Sequence, residues 1–580
     1  MNTESNTRHI EQRNYHPGAA ESSLPGMSRL LQRVYRHRGI TDVKQLDTSL
    51  PALLDPALLS HMDAATALLE TALRGQQRIL VVGDFDADGA TSTALCLRAL
   101  RALGAGEVHY LVPNRFEYGY GLTPEIVAVA AQWKPDLIMT VDNGIASIDG
   151  VAVARELGIE VLVTDHHLPG EQLPAAAAIV NPNLPGDPFP SKSLAGVGVA
   201  FYVMLALRAR LRKDGWFKES GRPEPNFAEL LDLVALGTVA DVVPLDRNNR
   251  ILVAQGLKRI AAGRCVPGIL ALLKLAGRDH RHVVASDLGF VVGPRLNAAG
   301  RLEDMSVGIE CLLRDDEDSA LALATQLDQL NRERRDIEAD MKQEAAQILE
   351  SLHNEQQDLP LGICLYQADW HQGVIGILAA RVKELWHRPV IVFASSSEQE
   401  LKGSARSVRG IHIRDVLDTV ASRHPGLINK FGGHAMAAGL SLRPENLDKF
   451  EQALQEVLGQ LVSPEQLQGI IESDGALRAE EFSLDSAREL REASPWGQGF
   501  PEPVFDNEFE VVGSRVVGGH HLKLQLRPEG MGLCIDAIAF NPDDLSLGAG
   551  ERIRAAYKLD INRFRGATSL QLLVDHIQRI

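Results

Sequence analysis

The chain has 580 residues and a formal net charge of −17, enough length for several separately cored domains and too acidic for a surface coated in positive charge that holds nucleic acid indiscriminately. No uninterrupted apolar run is long enough to cross a bilayer, and the N-terminal MNTESNTRHIEQRNYHPG has no hydrophobic region, so the expected location is the cytoplasm. The five cysteines are scattered and never form a CxxC pair, which excludes a disulfide framework and a zinc ribbon.

From about residue 78, strand-like and helix-like segments alternate. Strands are expected at 78–83, 108–113, 137–141, 160–164 and 178–181, and helices near 90–103, 123–133, 146–157 and 197–213. Such alternation predicts βαβ units and a mostly parallel sheet. Polar segments at 183–193 and 214–226 read as surface excursions. From Asp315 to about His353 an apolar pattern at helical spacing, free of Gly and Pro, predicts one long connecting helix. A second α/β region spans about 360–460, with strands in ICLYQADW, RPVIVFA and LKGSARS and a helix at 373–386. Beyond about 503, short strands separated by Gly and Asn turns predict a small barrel or sandwich.

The first strand runs into GDFDADGA (83–90), which spaces three carboxylates as a calcium loop does. A calcium loop starting at Asp84 needs a glutamate at its twelfth position, and that position is Leu95. The segment reads instead as a strand end carrying Asp84, Asp86 and Asp88. Three further clusters each follow an apolar run read as a strand: TVDNGI (140–145), VTDHH (163–167) and ALGTVADVVP (235–244). In a parallel sheet the ends of these strands share one edge, so Asp84, Asp86, Asp88, Asp142, His166, His167 and Asp241 would crowd one site. That much negative charge calls for metal ions, and an oxygen-rich set with imidazoles suits two Mn2+ or Mg2+ ions, a device for cleaving phosphoester bonds.

The order Asp-x-Asp-x-Asp-Gly, Val-Asp-Asn-Gly, Asp-His-His and Gly-Thr-Val-Ala-Asp resembles that of the DHH phosphoesterase superfamily. WHQGVIGILAARVKE (370–384), LKGSARSVRG (401–410) and KFGGHAMAAGL (430–440) resemble its associated domain, and GPRLNAAGR (293–301) the segment that closes its first domain. The resemblance implies an α/β chain. An N-terminal extension (1–45) precedes a parallel-sheet DHH domain (46–304), and a connecting helix (305–355) leads to a DHH-associated α/β domain (356–462). A β-rich, OB-like nucleic-acid-binding domain (463–580) ends the chain.

The implied activity is a single-strand-specific 5′→3′ DNA exonuclease of recombination and repair that releases mononucleotides. By resemblance, Asp84, Asp86 and Asp142 hold the first metal, with Asp142 bridging, and Asp88, Asp142, His166 and Asp241 the second. His167 contacts the scissile phosphate or orients the nucleophile, although the two histidines could exchange roles, and Asp165 fixes an imidazole tautomer. A 5′-phosphate pocket is expected from Arg115, Arg295, Arg301, Ser404 and Arg406, with His434 as a further DNA contact. Between Lys402 and His434, six basic residues face two acidic ones, Asp415 and Asp418. Implied partners are single-stranded DNA, a single-stranded-DNA-binding protein and a recombination or repair helicase. The alternatives are a phosphodiesterase or pyrophosphatase acting on small nucleotides, for which the β-rich tail has no use, and a non-catalytic DNA-binding scaffold, for which the full ligand set has none.

Overall fold

The computed structural model describes residues 8–16, 24–114, 120–355, 360–540, 542, 546–564 and 566–580. It divides into two compact units. One joins Arg332–Ser473 with the N-terminal strand His9–Gln12, and the other joins Arg13–Asn331 with Asp474–Ile580. Among the described residues no helix is long and apolar enough to cross a membrane.

The larger unit begins with helix α1 (Arg29–His37) and then builds a five-stranded parallel sheet. Its strands are β1 (Arg78–Gly83), β2 (Glu107–Leu111), β3 (Leu137–Val141), β4 (Glu160–Thr164) and β5 (Ala178–Val180), in the spatial order β2-β1-β3-β4-β5. Nearly every inner-strand residue is apolar because both faces are covered. Ile79 and Val81 join one core with Met139 and Leu162, while Leu80 and Val82 join the other with Ile138 and Val163. The chain leaves β1 in one direction to form β2 and returns to form β3 on the other side, so the switch point of the sheet lies between β1 and β3.

Four helices position the site: α2 (Ala87–Leu103), α3 (Gly196–Lys213), α4 (Leu231–Ala240) and α5 (Gly293–Leu302). α2 starts earlier than its apolar pattern because the Asp86 carboxylate caps it, accepting from the Asp88 and Gly89 amides. The segment before Asp241 is corrected: LDLVALGTVA is helix α4, not a strand. A continuous apolar run buried on all sides has no period by which helix and strand can be told apart.

A closed five-stranded barrel completes this unit: β11 (Phe505–Val517), β12 (His521–Pro528), β13 (Ile535–Phe540), β14 (Arg552–Phe564) and β15 (Ala567–Arg579), in the cyclic order β11-β12-β13-β15-β14. Its interior residues Phe505, Phe509 and Tyr557 belong to the same core as the parallel sheet. Helix α1 is part of that core too, burying Leu30, Leu31, Val34 and Tyr35 on one face, so the stretch expected as an N-terminal extension contains a packed helix. At the end of α1 the Arg38 guanidinium grips Asp474 with two bonds of 2.9 and 3.0 Å, donates to the Pro501 carbonyl (2.7 Å) and lies over the Trp496 ring. His37 Nδ1 lies 2.9 Å from the same carboxylate.

The smaller unit carries a mixed sheet of β6 (Ile363–Tyr366), β7 (Val390–Ser397), β8 (Glu400–Arg406), β9 (Lys430–Gly433) and β10 (Ala437–Leu442), ordered β9-β10-β8-β7-β6. Only β6 and β7 pair in parallel. The expected connecting helix is α6 (Glu317–Glu355), within which the division of the chain falls, and α7 (Ile375–Trp386) packs on β7 and β8.

Burial alone would raise the Asp474 carboxyl, but its bonds from His37 and Arg38 hold it below the usual range. Its contribution to stability is therefore present above the ordinary value of 3.8 and is lost as the pH falls through the lowered one. Because it is a fully buried ionic pair, Asp474→Ala strands the Arg38 charge and costs about 3–5 kcal/mol. Denaturation midpoints of wild type and variant measure this, and a loss below about 1 kcal/mol would contradict the role.

Candidate metal centre

Strand register aligns the site. Gly83 pairs with Val141, Val141 with Thr164, and Thr164 with Val180. The next residue of each strand, Asp84, Asp142, Asp165 and Asn181, therefore forms a row along the carboxyl edge of the sheet, with Asp84 and Asp142 on either side of the switch point.

The loop after β1 turns back sharply into α2. A Cβ at Gly89 would stand 2.4 Å from the Asp84 carbonyl oxygen, so only glycine allows this approach. Asp86 caps the helix, and Asp88, one residue inside it, accepts from the Gly196 and Val197 amides (2.6 and 2.9 Å) at the start of α3. Asp142 sits in the left-handed region at φ +62°, uncommon for a residue with a side chain, though aspartate is among those that adopt it most readily. Val242, immediately after Asp241, shares that φ. Asp241 enters from the C-terminal end of α4 rather than from a strand.

The ligand atoms form three overlapping groups, each within 4.8 Å: Asp84 with Asp86 and Asp142; Asp88 with His166 and Asp241; and Asp142 with His166 and His167. Asp142 is common to the first and third, and His166 to the second and third. His166 Nε2 lies 3.0 Å from Asp142 Oδ1, 3.5 Å from Asp241 Oδ2 and 4.0 Å from Asp88 Oδ2. Asp165 is not in any group. Its Oδ1 accepts from the His166 and His167 amides and lies 2.7 Å from His167 Nδ1, and its Oδ2 accepts from the Ile145 amide. It thus holds the histidine loop and orients the His167 imidazole.

Electrostatics separate these roles. Burial, then the Asp86 charge, pushes Asp88 up to about 7. Burial, then neighbouring carboxylates, raises Asp142 and Asp241 well above the ordinary value. Burial alone would lower His167, but its bond to Asp165 and the nearby Asp84 and Asp86 charges lift it to about 9. Asp142 Oδ1 and Asp241 Oδ2 are buried and accept no hydrogen bond. Carboxylate oxygens of this kind, with one imidazole at hand, fit hard divalent cations such as Mn2+ and Mg2+.

Several contacts escaped the sequence reading. The Tyr120 hydroxyl donates to the Asp142 carbonyl oxygen (3.2 Å) and lies 3.2 Å from His167 Nδ1. Asn181 and Asn183 donate to the His167 and His166 carbonyls, and Asn297 of α5 accepts from the Ala87 amide at 2.7 Å. Asn181 had a usable signal, because it ends an apolar strand as Asp84 and Asp142 do.

Of the expected DNA contacts, Arg115 lies outside the described residues. Arg295 and Arg301 lie on α5. Arg295 gives its Nε to Asp328 (2.9 Å) and its Nη1 to the Val291 carbonyl (2.7 Å), so two of its donors are committed within the protein. Ser404 and Arg406 come together on β8, Arg406 Nη1 donating to Ser404 Oγ at 3.1 Å. Both face the start of α7, where a Cβ on Gly376 would stand 2.9 Å from Ser404 Oγ and 3.0 Å from Arg406 Nη2. Arg406 Nη1 also donates to the Ala405 carbonyl at 2.8 Å, and burial lowers the guanidinium from its ordinary value. His434 occupies the exposed turn between β9 and β10.

Family models for the N-terminal domain of the DHH family, the DHHA1 domain and the RecJ OB domain match residues 78–238, 361–460 and 473–576. The chain is 56% identical over 561 residues to the single-stranded-DNA-specific exonuclease RecJ of Dickeya dadantii, covering 96% of this chain and 97% of that one. It is 55% identical over 550 residues to the protein of that name from Escherichia coli, covering 94% and 95%. Its fold matches the crystal structure of RecJ in complex with Mn2+ from Thermus thermophilus with a TM-score of 0.78 and 33% identity, over 95% of this chain and 76% of that one. The Mg2+ complex from that organism matches with a TM-score of 0.73 and 31% identity, over 95% and 74%.

Protons and metal compete for the raised carboxylates. A carboxyl that binds its proton more tightly folded than unfolded destabilises the metal-free fold as pH rises from 3.8 through its raised value, about 7 for Asp88. The gain in thermal midpoint on adding Mn2+ should therefore grow from about pH 5 to about pH 8 and vanish with chelator. A gain independent of pH would contradict the ligand assignment.

Proposed function

The chain belongs to the family of the RecJ single-stranded-DNA-specific exonucleases, and we propose the following division of labour among its residues. It is a metal-dependent exonuclease acting on single-stranded DNA. The observation that carries the reading is the shared carboxylate row, in which Asp142 falls in two groups of potential ligands at once.

Asp84, Asp86 and Asp142 would hold one divalent cation, and Asp88, Asp142, His166 and Asp241 a second, with Asp142 bridging. When bound, the pair supplies an activated water and offsets charge on the phosphoryl oxygens. Asp165 holds the His167 imidazole through Nδ1, which orients the ring toward the scissile phosphate. Of the two histidines, His166 is thus the ligand and His167 the phosphate contact. Tyr120 braces both the Asp142 backbone and His167.

Ser404, Arg406 and the start of α7 would receive a terminal 5′-phosphate, and the activity proposed is 5′→3′ with release of mononucleotides. Arg115, Arg301 and His434 extend the contacts along the backbone, and Arg295 supports α5. The barrel tracks further unpaired nucleotides. An enzyme that consumes single strands needs them unwound and kept open, so a repair helicase and a single-stranded-DNA-binding protein are its proposed partners. A cytoplasmic setting keeps its five unpaired cysteines reduced.

Asp142→Ala should reduce hydrolysis of a 5′-labelled single strand by at least about a thousandfold while leaving DNA binding measurable. Retained turnover would overturn the two-ion assignment. Arg406→Ala should raise KM for 5′-phosphorylated strands about tenfold or more, with little effect on 5′-hydroxyl strands. Equal effects on both would remove Arg406 from the terminal pocket.

A further inference from the structure

Among the assigned ligands, Asp241 is the least well placed by the elements around it. Asp84 and Asp142 extend paired strands, Asp86 and Asp88 stand at the start of α2, and Asp165 holds the His166 amide. Asp241 instead ends α4, where the helix dipole opposes a carboxylate and helical turns fray. Yet the chain there is fixed. The next residue, Val242, is β-branched and sits at φ +62°, a conformation such a residue keeps only where its surroundings impose it. Packing of its own side chain does not impose it, because Val242 is 63% exposed.

The restraint comes from the far end of the loop. Leu245 donates its amide to the Gln498 carbonyl (2.7 Å), and its own carbonyl accepts from Arg250 Nη1 (3.0 Å). Asn249 Nδ2 donates to the Pro244 carbonyl (2.9 Å). Gln498 belongs to a turn whose ends, Gly497 and Phe500, exchange two backbone hydrogen bonds of 2.9 and 3.1 Å. This turn meets the loop through two glycines. A Cβ at Gly497 would stand 2.7 Å from Leu245 Cδ1, and one at Gly499, itself at φ +71°, 3.1 Å from Pro244 Cβ. Arg250 closes the assembly: its buried guanidinium lies 4.2 Å from the centre of the Phe500 ring and donates through Nη2 to the Gln45 carbonyl (3.1 Å).

We propose that Arg250 is a positioning residue for the second metal ion. Together with the Gly497–Phe500 turn it pins Leu245, keeps Val242 in its strained conformation and so holds the Asp241 carboxylate 3.5 Å from His166 Nε2. This rests on the two-ion reading, in which Asp241 serves only the second ion. Loss of Arg250 therefore weakens that site and leaves the Asp84–Asp86 site as it was.

The test is Mn2+ binding to the full chain, with free ion counted by electron paramagnetic resonance, which gives two dissociation constants. Arg250→Lys keeps the charge and loses the planar fork. It should raise one constant about tenfold, leave the other within about twofold, and allow hydrolysis near the wild-type rate once Mn2+ is saturating. Asp241→Asn should raise the same constant, and adding Arg250→Lys to it should change that constant by less than about twofold, because both act on one ligand. Arg208→Lys is the control. Arg208 makes the same kinds of contact, to the Phe227 ring and the Pro225 carbonyl, and its replacement should leave both constants unchanged. Constants that rise together in Arg250→Lys, or losses that multiply in the double variant, would overturn the positioning role. If Arg250→Lys does not fold, Phe500→Leu decides: a rise of about threefold in one constant supports the role, and no rise overturns it. A wild type that binds fewer than two ions ends the two-ion reading and the positioning role with it. Two ions in the wild type beside unchanged constants in Arg250→Lys overturn the positioning role alone.

Discussion

The constraint on which the larger unit depends is the repulsion among carboxylates gathered at one edge of a parallel sheet. Asp84, Asp86 and Asp142 come within 4.8 Å of one another, as do Asp88 and Asp241 beside His166, and burial strengthens each repulsion by removing water. The protein offsets this only in part. Helix amides meet Asp86 and Asp88, and His166 stands among the remainder. Asp142 Oδ1 and Asp241 Oδ2, both near His166 Nε2, accept no hydrogen bond, and bound divalent cations would complete the balance.

Such a cluster needs a frame that cannot relax, and the fold supplies one. Strand register fixes Asp84, Asp142 and Asp165 in a row, and two apolar cores grip the sheet from both sides. Glycines at the contact points bring helices within a Cβ of the carboxylates. At Gly196 an added Cβ would stand 2.7 Å from Asp142 Oδ1, and at Gly237 2.8 Å from Asp88 Oδ1. The barrel and α1 share this core, with the Arg38–Asp474 pair tying them together, so the barrel is built onto the domain that carries the carboxylates.

The parallel sheet was legible in the sequence because each of its strands is a short apolar run ended by a polar cluster, and the sheet places those ends together. The GDFDADGA loop could be read for the same reason. Asp241 was found, but on the wrong element, since an apolar run without period hides its helix. Tyr120 and Phe290 were not legible. The first acts through a hydroxyl that reaches a backbone carbonyl across the sheet edge, and the second lies in a π-turn that no sequence period marks. The partners of Arg295 were not legible either: its residue type suggested a phosphate contact, and the fold adds bonds from two of its donors to Asp328 and Val291.

Anomalous scattering from crystals soaked in Mn2+ tests the account most directly. Two peaks should appear at the carboxyl edge of the parallel sheet, about 3.5–4 Å apart, both in contact with Asp142. A single peak, or two that do not share Asp142, would contradict the claim that this row of carboxylates exists to hold a bridged pair of ions.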